Sequence, residues 1–326
     1  MQRLMRDSSK TEAEQTLQRK FRKSALISGT LLAFAVLLFR SELKRLPNRS
    51  ELGLRTTSLH YQPVALGGGS GSGAPVVEAW RLLADDPRFG GLSALALSNG
   101  QFVALTDSGG VARFPKPRRG AFLNLRELPS GPGDKAFKLN RDSEALAADP
   151  LGRGWWVAFE NRDQIWLYDD TFGRALRHVA IKDAGLARNR GIEGMIAGRD
   201  ALLLFPESGG RVIRPGSRST ASIEGVPGWI SDAARLPDGR LAVIARRPTL
   251  IGFHNRLFVL EPAGRGYRAT KTWRIPVGRL DNVEGLAAEP LPGGAMRLWM
   301  VTDNNLQQRR RTLLVAVEIR PQPARQ

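Results

Sequence analysis

Cysteine is absent from this 326-residue chain. That excludes disulfides, thiolate metal sites and a cysteine nucleophile, and leaves the compartment open. Histidine is scarce: His60, His178 and His254 are the full set, so few triads can be assembled. A G-x-S-x-G elbow is missing as well, since the nearest stretch, "GLSAL", carries leucine where the last glycine belongs. "LGGGSGSGAP", residues 66–75, is followed by no Gly-Lys-Ser/Thr and reads as a flexible tether, not a phosphate loop. Acids are outnumbered, 31 Asp and Glu against 49 Lys and Arg, for a net charge of +18. No helix-turn-helix, zinc-finger or RNA-binding signature accompanies that excess, so nucleic acid is not an expected partner. A basic surface beside anionic lipid, or one that attracts anionic substrates, is the expected use.

What the chain does have is a repeated frame. "DNVEGLAAEP" with Glu284 recurs as "RDSEALAADP" with Glu144, "RGIEGMIAGRD" with Glu193, "ISDAARLPDGR" with Asp232, and "GGLSALALSNG" with Ser93 in the acid's place. Each copy runs on through a Gly, Pro, Asn and Asp turn into a β-prone second strand, which reads as a hairpin. A third strand follows in all five copies and a fourth in the first four. Four strands per unit, repeating at about 39 to 52 residues, predicts an all-β propeller of five blades, with six as the alternative. The six-blade reading requires strands hidden in "RELPSGPGDKAFKLN". The last copy lacks an outer strand, and "PVVEAWRLL" ahead of the first copy is the spare that could close the ring against 312–319.

Antiparallel strands place the start of a first strand and the end of the second at the same sheet end. The acids therefore converge on one rim. Second strands end in Asp107, Glu160, Glu207 and Asp303, while Arg246 breaks the pattern in the fourth copy. Like charges packed that closely need compensation from a cation, arginines or shared protons. Arg141 and Arg190 each precede a frame Glu by three residues and are the expected holders of an anionic substrate group. A hard-cation site, calcium being the expected ion, draws on Asp107, Glu144, Glu160, Glu193, Asp232, Glu284 and Asp303. Glu144, Glu193 and Glu284 are the candidate catalytic residues. The competing reading makes the acids staples that bind backbone N–H groups of the adjacent unit. Ser93 is expected to hydrogen-bond within the ring, and His254 to lie in a loop on the same rim.

The frames "FGGLSALAL", "DSEALA", "WVAFENRDQIWLYD", "NRGIEGM", "ISDAARLPDGRLAV", "NVEGLA" and "QRRRTLLVAVEI" resemble the bacterial family described as esterase-like activity of phytase, from about Phe89 to Ile319. The resemblance implies a β-propeller with hydrolytic activity attributed to acidic residues. Ala145 and Ala233 stand where the family usually has a glycine after the acid, so close backbone approach is not expected at those two units.

"SALISGTLLAFAVLLF", residues 24–39, is uncharged and follows Arg19, Lys20, Arg22 and Lys23. It reads as a signal anchor, a membrane helix on the short side whose flanking cations can snorkel; a cleaved signal is the alternative. The expected organisation is a basic segment over 1–23, the anchor over 24–39, a linker over 40–75, the propeller over 76–320 and a tail over 321–326. An inner-membrane, single-pass protein with its propeller in the periplasm follows. Its function is expected to be metal-dependent phosphoester or ester hydrolysis, or else non-catalytic binding or scaffolding at the membrane.

Overall fold

The computed structural model describes residues 53–66, 73–181, 186, 190–198, 201–217, 219–304 and 311–320. The expected anchor over 24–39, the 321–326 tail and most of the Gly/Ser tether lie outside them. Among the described residues no helix is long and apolar enough to cross a membrane.

Two strands precede the first copy of the frame, β1 (Arg55–Pro63) and β2 (Val76–Ala84). Four antiparallel meanders follow. The first is β3 (Leu92–Ser98), β4 (Gln101–Thr106), β5 (Gly110–Pro115) and β6 (Ala121–Glu127). The second is β7 (Ser143–Ala148), β8 (Trp155–Phe159), β9 (Gln164–Tyr168) and β10 (Ala175–Ala180). The third is β11 (Ile192–Ala197), β12 (Leu202–Pro206), β13 (Arg211–Ile213) and β14 (Thr220–Glu224). The fourth is β15 (Trp229–Arg235), β16 (Leu241–Thr249), β17 (Gly252–Ala263) and β18 (Gly266–Arg274). Three strands complete the chain, β19 (Asn282–Pro290), β20 (Met296–Asp303) and β21 (Leu313–Ile319).

Local chemistry explains the hairpins. Asn99 and Gly100 join β3 to β4 with both φ angles positive, 50° and 74°, the mirror-image turn whose twist matches paired strands. Second strands are apolar on both faces because each is covered by neighbouring units: all five residues of β8, "WWVAF", are buried. The core is correspondingly divided into five apolar layers between successive units. Trp299, Phe102 and Leu314 lie in the layer that joins the last unit to the first. There the Phe102 and Trp299 rings meet edge to face at 5.1 Å.

The spare strand closes the set. β2 pairs antiparallel with β21, Val76 opposite Val317 and Arg81 opposite Leu313. The first strands contact one another in cyclic order, β3 with β7, β7 with β11, β11 with β15, β15 with β19, and β19 back to β3. The stretch between β6 and β7 holds a short 3-10 turn, Lys138–Asn140, and no strand. One difference from expectation lies in the linker. Residues 55–63 form β1, which pairs with β2 on one side and β6 on the other and so bridges two units. Its sequence, "RTTSLHYQP", lacks an apolar alternation because both neighbours are outer strands and only Leu59 is buried.

Candidate functional site at the carboxylate mouth

Every first strand carries a bulge at its start. Pairing skips one residue between Leu92 and Ala94, Ser143 and Ala145, Ile192 and Gly194, Ile230 and Asp232, and Val283 and Gly285. The skipped residues are Ser93, Glu144, Glu193, Ser231 and Glu284. A bulged residue is released from the ladder and its side chain re-aimed. That corrects the sequence frame of the fourth copy, where the acid's place belongs to Ser231 and Asp232 takes the following position, the one held by Gly194 and Gly285.

The two serines act alike. Ser93 Oγ donates to Ser143 O at 2.6 Å, and Ser231 Oγ donates to Val283 O at 2.8 Å, each reaching the carbonyl just before the next unit's frame Glu. Asp232 is a staple too. Its carboxylate accepts from Ala233 N at 2.7 Å and Leu286 N at 2.6 Å, with the Leu95 N–H also directed at it. Both of its carboxylate oxygens are engaged by backbone N–H groups, which oppose the rise in pKa that burial causes. The glycines give close approach where they occur: a Cβ on Gly194 would lie 2.8 Å from Ala233 N, and one on Gly285 3.0 Å from Leu95 N.

On each second strand the residue that follows the bulge pairing is Asp107, Glu160, Glu207, Arg246 or Asp303, which places these side chains beside the frame residues. Glu193, Glu207, Glu284 and Asp303 are buried, whereas Asp107, Glu144 and Glu160 are half-buried. Arg246 answers much of the charge problem. It donates to Glu284 and, at 3.3 Å, to Glu207 Oε1, with its guanidinium 5.8 Å from the Phe253 ring. Those carboxylates, with Glu193, hold the Arg246 pKa above its ordinary value against the burial penalty. Asn282 donates a further hydrogen bond to Glu284. Even so, burial keeps the Glu284 pKa raised.

On the other side of the mouth Asp142, Glu144 and Glu160 bring carboxylate oxygens within 4.8 Å of one another, a donor set able to hold a metal ion. Asp142 was not among the sequence candidates. It lies two residues before Glu144, ahead of β7, and the bulge at Glu144 turns the two carboxylates together where strand alternation would not have predicted it. Lys138 Nζ reaches Asp142 Oδ1 at 2.7 Å and Asp107 Oδ2 at 3.2 Å. Burial and the charges of Asp142, Glu193 and Glu284 push the Glu144 pKa well up. Glu160 is pushed up to about 8, by burial first and then by the charges of Asp142 and Glu207, with Lys138 opposing. Burial likewise raises Glu193, with Arg246 opposing.

The two arginines named from sequence part company. Arg190 stays near the mouth, its Nε 3.9 Å from Glu207 Oε2 and its guanidinium 5.0 Å from the Trp229 ring centre. Arg141 is buried at the foot of the 128–141 loop, packed against Gly109 and Gly131, and faces Tyr168, Glu127 and Asp134. Compensation within the mouth comes from Arg246 and Lys138 instead. His254 is exposed on the β16–β17 hairpin, opposite Arg247 and one pair beyond Arg246.

An all-β ring of antiparallel meanders with acids gathered at one mouth of its first strands defines a β-propeller with a carboxylate-lined site. The chain belongs to the phytase-like family, "esterase-like activity of phytase", whose sequence profile matches residues 87–306. No curated protein matches it in sequence. Among solved structures it is similar to the Neurospora crassa Pan2 WD40 domain, at 11% identity over 81% of this chain and 97% of that one, TM-score 0.40. It is also similar to the Myceliophteria thermophila Cps50 (Swd1) β-propeller domain, at 14% identity over 67% and 68% of the two chains, TM-score 0.34. With Kuenenia stuttgartiensis hydrazine synthase it shares 14% identity over 74% of its own length, TM-score 0.38, and spans 61% of that chain.

Proposed function

We propose that this chain is a five-bladed, phytase-like hydrolase that cleaves phosphoester or carboxylester bonds at the carboxylate mouth and uses a hard cation to do so. The observation that carries this reading is the Asp142, Glu144 and Glu160 cluster. All-oxygen donors without His or Cys suit calcium, and three carboxylates leave coordination positions for water or substrate. The residues fit that ion for a second reason: like charges are crowded there to the point that protons are retained. When bound, the cation would polarise a substrate oxygen and lower the pKa of a water.

The chain's own residues do the rest. Without the ion Glu160 holds its proton, burial having pushed its pKa up to about 8, and it gives that proton up as the ion binds. Arg190, half-exposed above Trp229, is placed to receive an anionic substrate group. Arg246 and Lys138 keep the surrounding carboxylates in position. Membrane attachment through residues 24–39, with the propeller in the periplasm, is part of the same proposal and rests on the uncharged run alone.

A second reading, a tethered propeller without turnover, is favoured by Ser93, Ser231 and Asp232, which are occupied in holding units together. Calcium titration of the purified chain, with phosphomonoester, phosphodiester and carboxylester substrates assayed with and without chelator, separates the two. Stoichiometric binding with chelator-sensitive product release is expected. Neither binding nor release would leave the scaffold reading.

A further inference from the structure

The β16–β17 hairpin continues past the carboxylate ring by three residue pairs, Arg247 with His254, Pro248 with Phe253, and Thr249 with Gly252. That is an overhang of about 10 Å at the usual rise of a strand. Its tip presents two large aliphatic side chains to solvent, Leu250 at 105% and Ile251 at 57% relative exposure. The turn before β19 supports the tip from the side. Phe253 N donates to Arg279 O at 2.7 Å, and a Cβ on Gly252, whose φ is 136°, would strike that same carbonyl. The turn brings Leu280, 52% exposed, beside the other two.

Exposed charge on this tip and on the turn that supports it has one sign, since Asp281, next to Leu280, is buried and paired with Arg311. Arg247, Arg256 and Arg279 are exposed beside it. Neither "RPTLIGFHNR", residues 247–256, nor "PVGRL", residues 276–280, contains an acid. Aliphatic side chains at a projecting point with cations set behind them match a bilayer surface, where the apolar groups enter the acyl boundary and the arginines meet anionic headgroups. A lid over the mouth would turn these aliphatics inward instead.

We infer that the β16–β17 hairpin docks the carboxylate-bearing face of the propeller onto an anionic lipid bilayer, with Leu250, Ile251 and Leu280 inserted and Arg247 and Arg279 on the headgroups. This goes beyond hydrolysis and does not depend on it. Where the mouth does act on esters, docking directs it at those carried by lipids.

Lack of cysteine makes the test site-specific. Leu250→Cys in the full chain is labelled with an environment-sensitive fluorophore, and Leu151→Cys, 72% exposed in the β7–β8 turn at the opposite rim, serves as the control. Both are mixed with phosphatidylcholine vesicles, with or without phosphatidylglycerol, whose acyl chains carry a nitroxide quencher. The label at 250 is expected to shift to the blue and be quenched only when phosphatidylglycerol is present, and to lose both responses when Arg247→Glu and Arg279→Glu are added. The label at 151 should remain unquenched. Equal quenching at the two positions, or none at 250, overturns docking. A response at 250 indifferent to phosphatidylglycerol overturns the anionic-lipid assignment, and a blue shift without vesicles that grows with protein concentration assigns the tip to a second copy of the chain.

Discussion

Arg246, on β16, donates to Glu284 from the position that an acid holds after the bulge pairing of the other four second strands. The same guanidinium reaches Glu207, so a single cation links the third, fourth and last units across the mouth. Arg246→Met should therefore destabilise the fold by about 3 kcal/mol near neutral pH, the range for removing one partner of a buried ion pair. The deficit should shrink in acid, because Glu284 can take up a proton in place of its lost partner. Thermal melts of both proteins across pH check this.

A wider pH dependence follows from the raised carboxyls. Glu160 moves from an ordinary 4.5 to about 8 on folding, so between those values the native state binds more protons than the unfolded chain. Stability is then fully present below the lower value and is lost as pH rises toward the upper one. Glu144, Glu193, Glu284 and Asp232 are raised in the same direction. In the presence of chelator the melting temperature should fall from about pH 5 to about pH 9. Glu160→Gln, which cannot ionise, should flatten the decline.

Calcium binding should depend on Asp142 and Glu144 and hardly on Glu284. Asp142→Asn or Glu144→Gln is expected to weaken affinity by about tenfold or more, as loss of one charged ligand oxygen does. Glu284→Gln should leave affinity close to wild type, because its carboxylate is already engaged by Arg246 and Asn282. Isothermal titration at two pH values should also show protons released on binding, since Glu144 and Glu160, both raised by burial, bind the ion as carboxylates.

The staples should behave differently from the cluster. Asp232→Ala removes the acceptor of a buried Leu286 N–H and should cost about 1 to 3 kcal/mol, with calcium affinity unchanged. Ser231→Ala should cost about 1 kcal/mol for its single bond to Val283 O. Urea unfolding measures both, and a loss of calcium binding in Asp232→Ala would place that carboxylate back in the ion site.

The sequence made the repeats legible because apolar runs and Gly-rich turns alternate on a fixed period, and it made β2 legible because its partner strand was missing at the far end. It did not make the fourth frame legible. Ser231 and Asp232 are adjacent, and which of them a bulge consumes depends on pairing across the hairpin, not on hydropathy. Arg246 was visible as an exception, yet its role needed the spatial closeness of Glu284, 38 residues later in the chain. Arg141 shows the converse: it stands three residues before a frame Glu, yet its side chain packs against Gly109 and Gly131, a contact that its sequence position does not reveal.

The pairing of β2 with β21 has a consequence for how the protein is made. The strand that completes the last unit is synthesised before every unit, and its partner after all of them. Until Leu313–Ile319 emerges, β2 presents an unpaired edge, and β20 does the same once it has been made. Exposed edges of that kind recruit other chains. The nascent protein therefore passes most of its synthesis with an adhesive seam, and a truncation just before Leu313 should yield aggregates rather than a ring one strand short.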